Sequence, residues 1–138
     1  MMNISPEINK LVDKINDQAK SRGVRAANEL RNAALKVLRG QRTGRIYRVP
    51  FSKRKYTASS PGEPPAVRSG DLRRSWRPVS ASEAAGTKLT VNPAIITSIK
   101  YAPFLEKGTG RMKPRPFEDP IKKKAMRRIV KIYREPYL

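Results

Sequence analysis

At 138 residues, with 31 lysines and arginines against 11 acids, the chain carries a formal net charge of +20 and contains neither cysteine nor histidine. Those absences exclude disulfide staples and thiolate metal sites and remove the commonest metal ligand and general base, so few catalytic constellations remain open. The length suits one α+β domain with a modest core, and a charge this large on it points to a polyanionic partner or to an assembly that supplies acidic surfaces.

The opening MMNISPEINKLVDK has no long apolar run behind a basic leader, and no later stretch is apolar enough to cross a bilayer. Neither a secretory signal nor a membrane span is expected, and the chain is expected to be made and kept in the cytosol. Ser5, Pro6 and Glu7 read as a helix start: a capping hydroxyl, proline at the first helical position and a carboxylate near the positive end of the dipole. Ile8, Leu11, Val12, Ile15 and Ala19 then keep one face, which Ala26, Leu30, Ala33, Val37 and Leu38 resume after Gly23, before Lys36, Arg39 and Gly40 mark the stop.

A single helix over 6–39 spans roughly 50 Å, longer than a compact domain of this size needs, so part of it is expected to rest on a neighbour. The alternative is two helices broken at Ser21 to Val24, since Gly23 costs about 1 kcal/mol relative to alanine inside a helix. We favour the unbroken helix. Its polar face mixes Lys10, Lys14, Arg25 and Arg31 with Glu7, Asp13, Asp17 and Glu29, as an ordinary solvated helix does.

Residues 41–60 hold Arg42, Arg45, Arg48, Lys53, Arg54 and Lys55 and no acid, around the short alternation Ile46, Tyr47, Arg48, Val49. That reads as a strand leading into a basic loop or hairpin arm, with disorder of the free arm as the competing reading. SSPGEPP, from Ser59 to Pro65, is too rich in proline for a central strand or a helix; Ser69 then caps a short helix through Asp71, Leu72 and Trp76, with Trp76 in the core. After a small-residue turn at Ala84 to Thr87, Leu89, Val91 and Ile95 to Ile99 suggest two antiparallel strands joined near Asn92 and Pro93.

Tyr101 to Pro120, YAPFLEKGTGRMKPRPFEDP, sets prolines 103, 114, 116 and 120 among Gly108 and Gly110, fixing one irregular path. Ala102 to Glu106 reads as about one helical turn closed by Gly108, and Asp119 and Pro120 open a last helix. On a wheel at about 100° per residue, Ile121, Ala125, Met126, Ile129, Ile132 and Tyr133 share one side of that helix. Lys123, Lys124, Arg127, Arg128, Lys131 and Arg134 take the other, with no acid among them. Net charge is therefore localised: +6 in 41–60 and +6 in 121–138. Such a row suits phosphate or an acidic protein surface; an anionic membrane is the weaker alternative, because the apolar side lacks tryptophan and phenylalanine.

Glu106 has no histidine and no second carboxylate beside it for acid–base work, so pairing with an arginine such as Arg115 is expected instead, within the chain in preference to across an interface between subunits. Tyr101, Phe104 and Phe117 are read as core residues rather than base-stacking platforms. Gly108 and Gly110 lack the lysine-serine or lysine-threonine helix start of a phosphate loop and are read as turn residues.

Two segments together, SSPGEPPAVRSGDLRRSW (59–76) and YAPFLEKGTGRMKPRPFEDP (101–120), resemble the small head-tail joining or tail-completion proteins of long-tailed bacteriophages. The matching residues are Pro61, Gly62, Pro64 and Pro65; Gly70, Leu72 and Arg73; Tyr101, Ala102, Leu105, Glu106, Gly108 and Thr109; and Pro114, Arg115, Pro116 and Phe117. The chain departs from the pattern at Lys107, where the family often has an aromatic or apolar residue, and in its densely basic C-terminus. The resemblance implies one α+β domain over 1–138: a long helix (1–40), a basic arm and proline-rich loop (41–68), a short helix, small antiparallel sheet and connector (69–118), and a basic helix (119–138).

It further implies a structural, non-enzymatic virion protein without cofactor or metal. Such a protein is made in the host bacterial cytoplasm and forms a homo-oligomeric ring at the head-tail junction. Its partners would be further copies, neighbouring neck and tail proteins (portal adaptor, stopper, terminator or tail tube) and genomic double-stranded DNA, with no membrane. Assembly contacts would fall on Pro61, Gly62, Pro64, Pro65, Tyr101, Leu105, Glu106, Gly108, Arg115, Pro116 and Phe117. DNA or acidic-partner contacts would fall on Arg42, Arg45, Arg48, Lys53, Arg54, Lys55, Lys123, Lys124, Arg127, Arg128 and Lys131. A basic nucleic-acid-binding protein of ribosomal or architectural type is the alternative.

Overall fold

The computed structural model describes residues 5–48, 50–67, 70–86 and 88–137. Helix α1 runs unbroken from Ser5 to Val37, 33 residues, so the helix does pass through Gly23. A Cβ at that position would overlap Ser80 Oγ and Val91 Cγ1. Glycine therefore serves close approach of the helix to the sheet, and this contact offsets its poor helix propensity.

The sheet beneath Gly23 is a hairpin of β3 (Arg77–Ala85) and β4 (Lys88–Ile96), antiparallel, with Ala85 opposite Lys88 and Arg77 opposite Ile96. Its turn lies at Gly86 (φ 61°), not at Asn92 and Pro93; Pro93 sits inside β4 opposite Ser80. Both strands of a two-stranded sheet are edge strands, so a proline can turn its donor-less nitrogen outward without breaking the ladder. Residues 89–91 and 95–96 thus belong to one strand, and the partner strand is drawn from residues 77–85.

A second, smaller hairpin pairs β1 (Ile46–Arg48) with β2 (Lys55–Thr57), with the Tyr47 and Tyr56 rings stacked at 6.0 Å. Short helices α2 (Asp71–Arg74) and α3 (Ala102–Lys107) follow, and α4 (Glu118–Arg134) closes the chain. The cap expected at Ser69, the strand end at Val49 and the turn residue Thr87 lie outside the described residues.

The core gathers where the second half of α1 meets α4 and α2: Ala33, Ala34 and Leu38 against Leu72, Trp76, Phe117, Ile121 and Ala125. Alanines on α1 let α4 lie close, and Trp76 meets Phe117 edge-on at 5.7 Å. Helices α1 and α4 run antiparallel, since Arg25 pairs with Glu135, Glu29 with Arg128, and Ala33 and Ala34 share the core with Ile121 and Ala125. Arg73 Nε donates to Leu35 O at 2.9 Å and Arg31 Nε to Trp76 O at 3.1 Å, fastening α2 to α1.

Phe117 is buried as expected, whereas Tyr101 and Phe104 are 47% and 58% exposed and do not belong to the core. Pro103, next to Phe104 and two residues from Tyr101, restricts the local backbone but supplies no apolar cover.

Candidate assembly and polyanion-binding surfaces

On α4 the sequence separates cleanly by face. Ile121, Ala125 and Ile132 are buried, while Lys123, Lys124, Arg127, Arg128, Lys131 and Arg134 are exposed. Met126 and Tyr133, read as apolar-side residues, are also 54% and 40% exposed, so the buried stripe is narrower than the wheel implied. Arg128 reaches Glu29 of α1 at 3.6 Å. Lys123, Lys124, Arg127 and Lys131 have no ion-pair partner among the described residues. Four unneutralised cations on one exposed helical face suit phosphates or carboxylates of another molecule.

In the basic arm the six cations divide. Arg45, Arg48, Lys53, Arg54 and Lys55 are exposed on the β1–β2 hairpin and its tip. Phe51 stands at that tip, fully exposed with φ 58°. Arg42 behaves otherwise: its guanidinium donates to Pro64 O (2.6 Å), Pro65 O (3.1 Å), Gln41 O (2.9 Å) and Val37 O (2.6 Å). It is a fastener between the end of α1 and the proline-rich loop, which removes it from the expected DNA-contacting set. Burial pushes its pKa down, against a smaller opposing pull from Glu63.

Glu63 anchors the same loop. Its carboxylate accepts from the Thr43 hydroxyl, from Thr43 N at 3.2 Å and from Ser60 N at 3.4 Å. The Thr43 hydroxyl bond is the leading cause that holds this carboxyl below its ordinary range, with Ser60 adding to it.

The two proline- and glycine-rich segments meet. Gly62 N donates to Pro114 O at 3.0 Å, and both segments border one mainly apolar groove of about 850 Å³. Pro65, Val67, Leu72 and Arg73 come from the first segment, Tyr101, Leu105, Met112 and Arg115 from the second, and Tyr56 and Pro50 from the arm. Of the expected assembly residues, Pro65, Tyr101, Leu105 and Arg115 line this groove. Pro61 is exposed near it, Gly62 (φ 88°) makes the joining bond, and Gly108 (φ 79°) ends α3 where a Cβ would strike Met112 O and Pro114. Phe117 is enclosed within the subunit at 2% exposure, with Pro116 half-buried before it.

Glu106 does not pair with Arg115. Its Oε2 accepts from Phe117 N at 2.7 Å and Glu118 N at 3.3 Å, capping the first turn of α4. Free amides at a helix start hold a carboxylate more completely than one side chain does, and the dipole favours negative charge there. Arg115 is tied through its backbone, N to Leu105 O at 2.6 Å, while its Nη1 is buried without a hydrogen-bond partner among the described residues.

Sequence reasoning missed a clasp at the C-terminus. Buried Arg22 donates to Tyr133 O (3.3 Å) and Pro136 O (2.8 Å) and lies 3.8 Å over the Tyr137 ring, beside the bidentate Arg25–Glu135 pair. Arg25 leads in holding the Glu135 carboxyl below its ordinary range. The signal was weak: a single arginine next to Gly23 on an otherwise mixed helix face.

The first four turns of α1 are largely exposed to solvent. Ile8, Leu11, Val12 and Ile15 are 36% to 48% exposed, although they form the apolar row read from the sequence. Among the described residues no helix is long and apolar enough to cross a membrane, and no cluster of three or more Asp or Glu side chains is arranged to hold a metal. Compared with family models, curated proteins and solved structures, the chain matches none of them.

Proposed function

We propose that the chain is a structural subunit of a tailed-bacteriophage neck, of the head-tail joining or tail-completion type. It assembles into a closed ring at the junction and turns a basic surface toward DNA or an acidic neighbouring ring. The observation that carries this reading is the meeting of the two segments that bear the family resemblance, through Gly62 and Pro114, around a single apolar groove. Segments distant in sequence that converge on one exposed groove serve docking better than internal stability, because a purely structural connector would bury its apolar surface.

In this role the chain contributes surfaces and no bond chemistry. Glu106 and the rigid connector fix the direction of α4 relative to the groove, so the cationic row and the docking surface keep one mutual orientation. Identical subunits of +20 around one axis repel until an anionic partner neutralises them. That couples completion of the ring to the arrival of DNA or of an acidic ring. Electron microscopy of the purified protein and of virions tests the reading: rings at the junction support it, whereas persistent monomers and virions lacking the chain reject it.

The exposed, unpaired cations of α4 favour one second reading, a nucleic-acid-binding protein proper. That reading requires tight binding by a monomer and a steep fall of affinity with salt.

A further inference from the structure

Resting on the ring reading, we infer that the exposed N-terminal half of α1 in one copy lies in the groove of the next copy, head to tail. Ile8, Leu11, Val12 and Ile15 then cover the groove floor beside Tyr101.

Three observations converge on this contact. The row repeats at i, i+3, i+4 and i+7, the spacing of a helix face that buries against a partner, yet all four side chains are exposed in the subunit. The groove is the complementary apolar surface, and it lies at the other end of the same helix, beside Leu38. About 33 Å of continuous helix, at ~1.5 Å per residue, separates Ile15 from Val37, so a chain cannot place its own row in its own groove. Two different surfaces that satisfy each other between copies make a heterologous contact, which closes into a ring or propagates as a filament.

Charge selects the same segment. Residues 5–20 balance Glu7, Asp13 and Asp17 against Lys10, Lys14 and Lys20, in a chain of net +20. Contact between strongly cationic copies is least opposed there. The receiving side has a cationic excess: Arg73 and Arg115 line the groove with one acid, Asp71, and residues 41–60, four of which line it too, hold no acid. On the wheel Glu7 flanks the apolar row about 40° from Leu11. A seated helix therefore carries this carboxylate along the groove edge, toward the arginines that line it.

Because the chain has no cysteine, introduced thiols report the contact directly. Full-length Leu11→Cys and Val67→Cys variants are mixed under mild oxidation in about 1 M salt, where the Debye length falls to about 3 Å and repulsion between copies is screened. The expected result is a disulfide-linked dimer in the mixture, little or none from either variant alone, and a ladder of oligomers from the double variant. Adding Ile15→Asp abolishes the ladder while leaving the melting temperature unchanged, since Ile15 is exposed in the subunit. Efficient self-linking of Leu11→Cys, which reports two α1 rows face to face, overturns the inference, as does the absence of any mixed cross-link. Rings seen by microscopy without the mixed cross-link reject this contact and keep the ring reading. Cross-linked open filaments that never close keep the contact and reject the ring.

Discussion

Replacing Gly23 by alanine separates helix propensity from tertiary contact, because the two predict opposite signs. On an exposed helix the change stabilises by about 1 kcal/mol. Here the new Cβ would overlap Ser80 Oγ and Val91 Cγ1. The serine hydroxyl can rotate away, but the β-branched valine is stiff at χ1 and is fixed in β4 opposite Ser82. Overpacking of this kind costs about 1–3 kcal/mol, so Gly23→Ala should be destabilised by a net ~0–2 kcal/mol. At about 3–4 °C per kcal/mol for 138 residues, the melting temperature falls by up to about 8 °C. Gly23→Leu, also a good helix former, should lose more. Adding Val91→Ala to Gly23→Ala should recover part of the loss, with a coupling above ~0.5 kcal/mol. Urea denaturation followed by circular dichroism measures all three. A Gly23→Ala protein stabilised by about 1 kcal/mol, with no coupling to Val91, would refute the close approach of α1 to the β3–β4 hairpin.

Glu106→Ala should cost about 1–2 kcal/mol in chemical denaturation through loss of the cap on α4, and Glu106→Gln, which keeps one acceptor, should cost less. Equal losses from both variants would argue against the cap. In DNA titrations against salt, the double variant Lys123→Gln/Arg127→Gln should reduce the logarithmic slope by about 0.9 for each phosphate contact removed. Arg42→Gln should leave that slope intact and lower stability instead, since its guanidinium serves backbone carbonyls. Acid titration of stability should show Glu63 and Glu135 at work: both carboxyls are depressed in the folded chain from an ordinary value of 4.5. Their contribution is therefore complete above that value and is lost as pH falls through the lower folded one. Glu63→Gln should flatten the acid limb of the stability curve, and an unchanged limb would remove Glu63 from the account.

Local signals made much of this fold legible. The spacing of Ile8 through Leu38, the Asp119–Pro120 start and the Ala102–Gly108 turn each carry a period or a cap that acts over a few residues, and each yields the observed element. The β3–β4 turn is not legible locally, because Asn92 and Pro93 have turn chemistry and only the number of strands in the sheet tells whether proline is tolerated there. The partners of Arg42 and Glu106 are hidden from the sequence for a related reason. Charge suggests another charge, but both side chains found backbone groups left free by helix ends and a proline loop, which depend on tertiary placement. The cationic face of α4 was legible because helical period alone separates its two sides. The groove was not, since it forms only where residues 50–73 and 101–115 come together.

The most direct test of the central claim is a reconstruction of the neck of virions assembled with this chain. The account predicts a closed ring of copies at the head-tail junction, with Lys123 and Arg127 turned toward DNA or an acidic neighbouring ring. Virions with no copy at that junction, together with a chain that binds DNA only as a monomer, would contradict it.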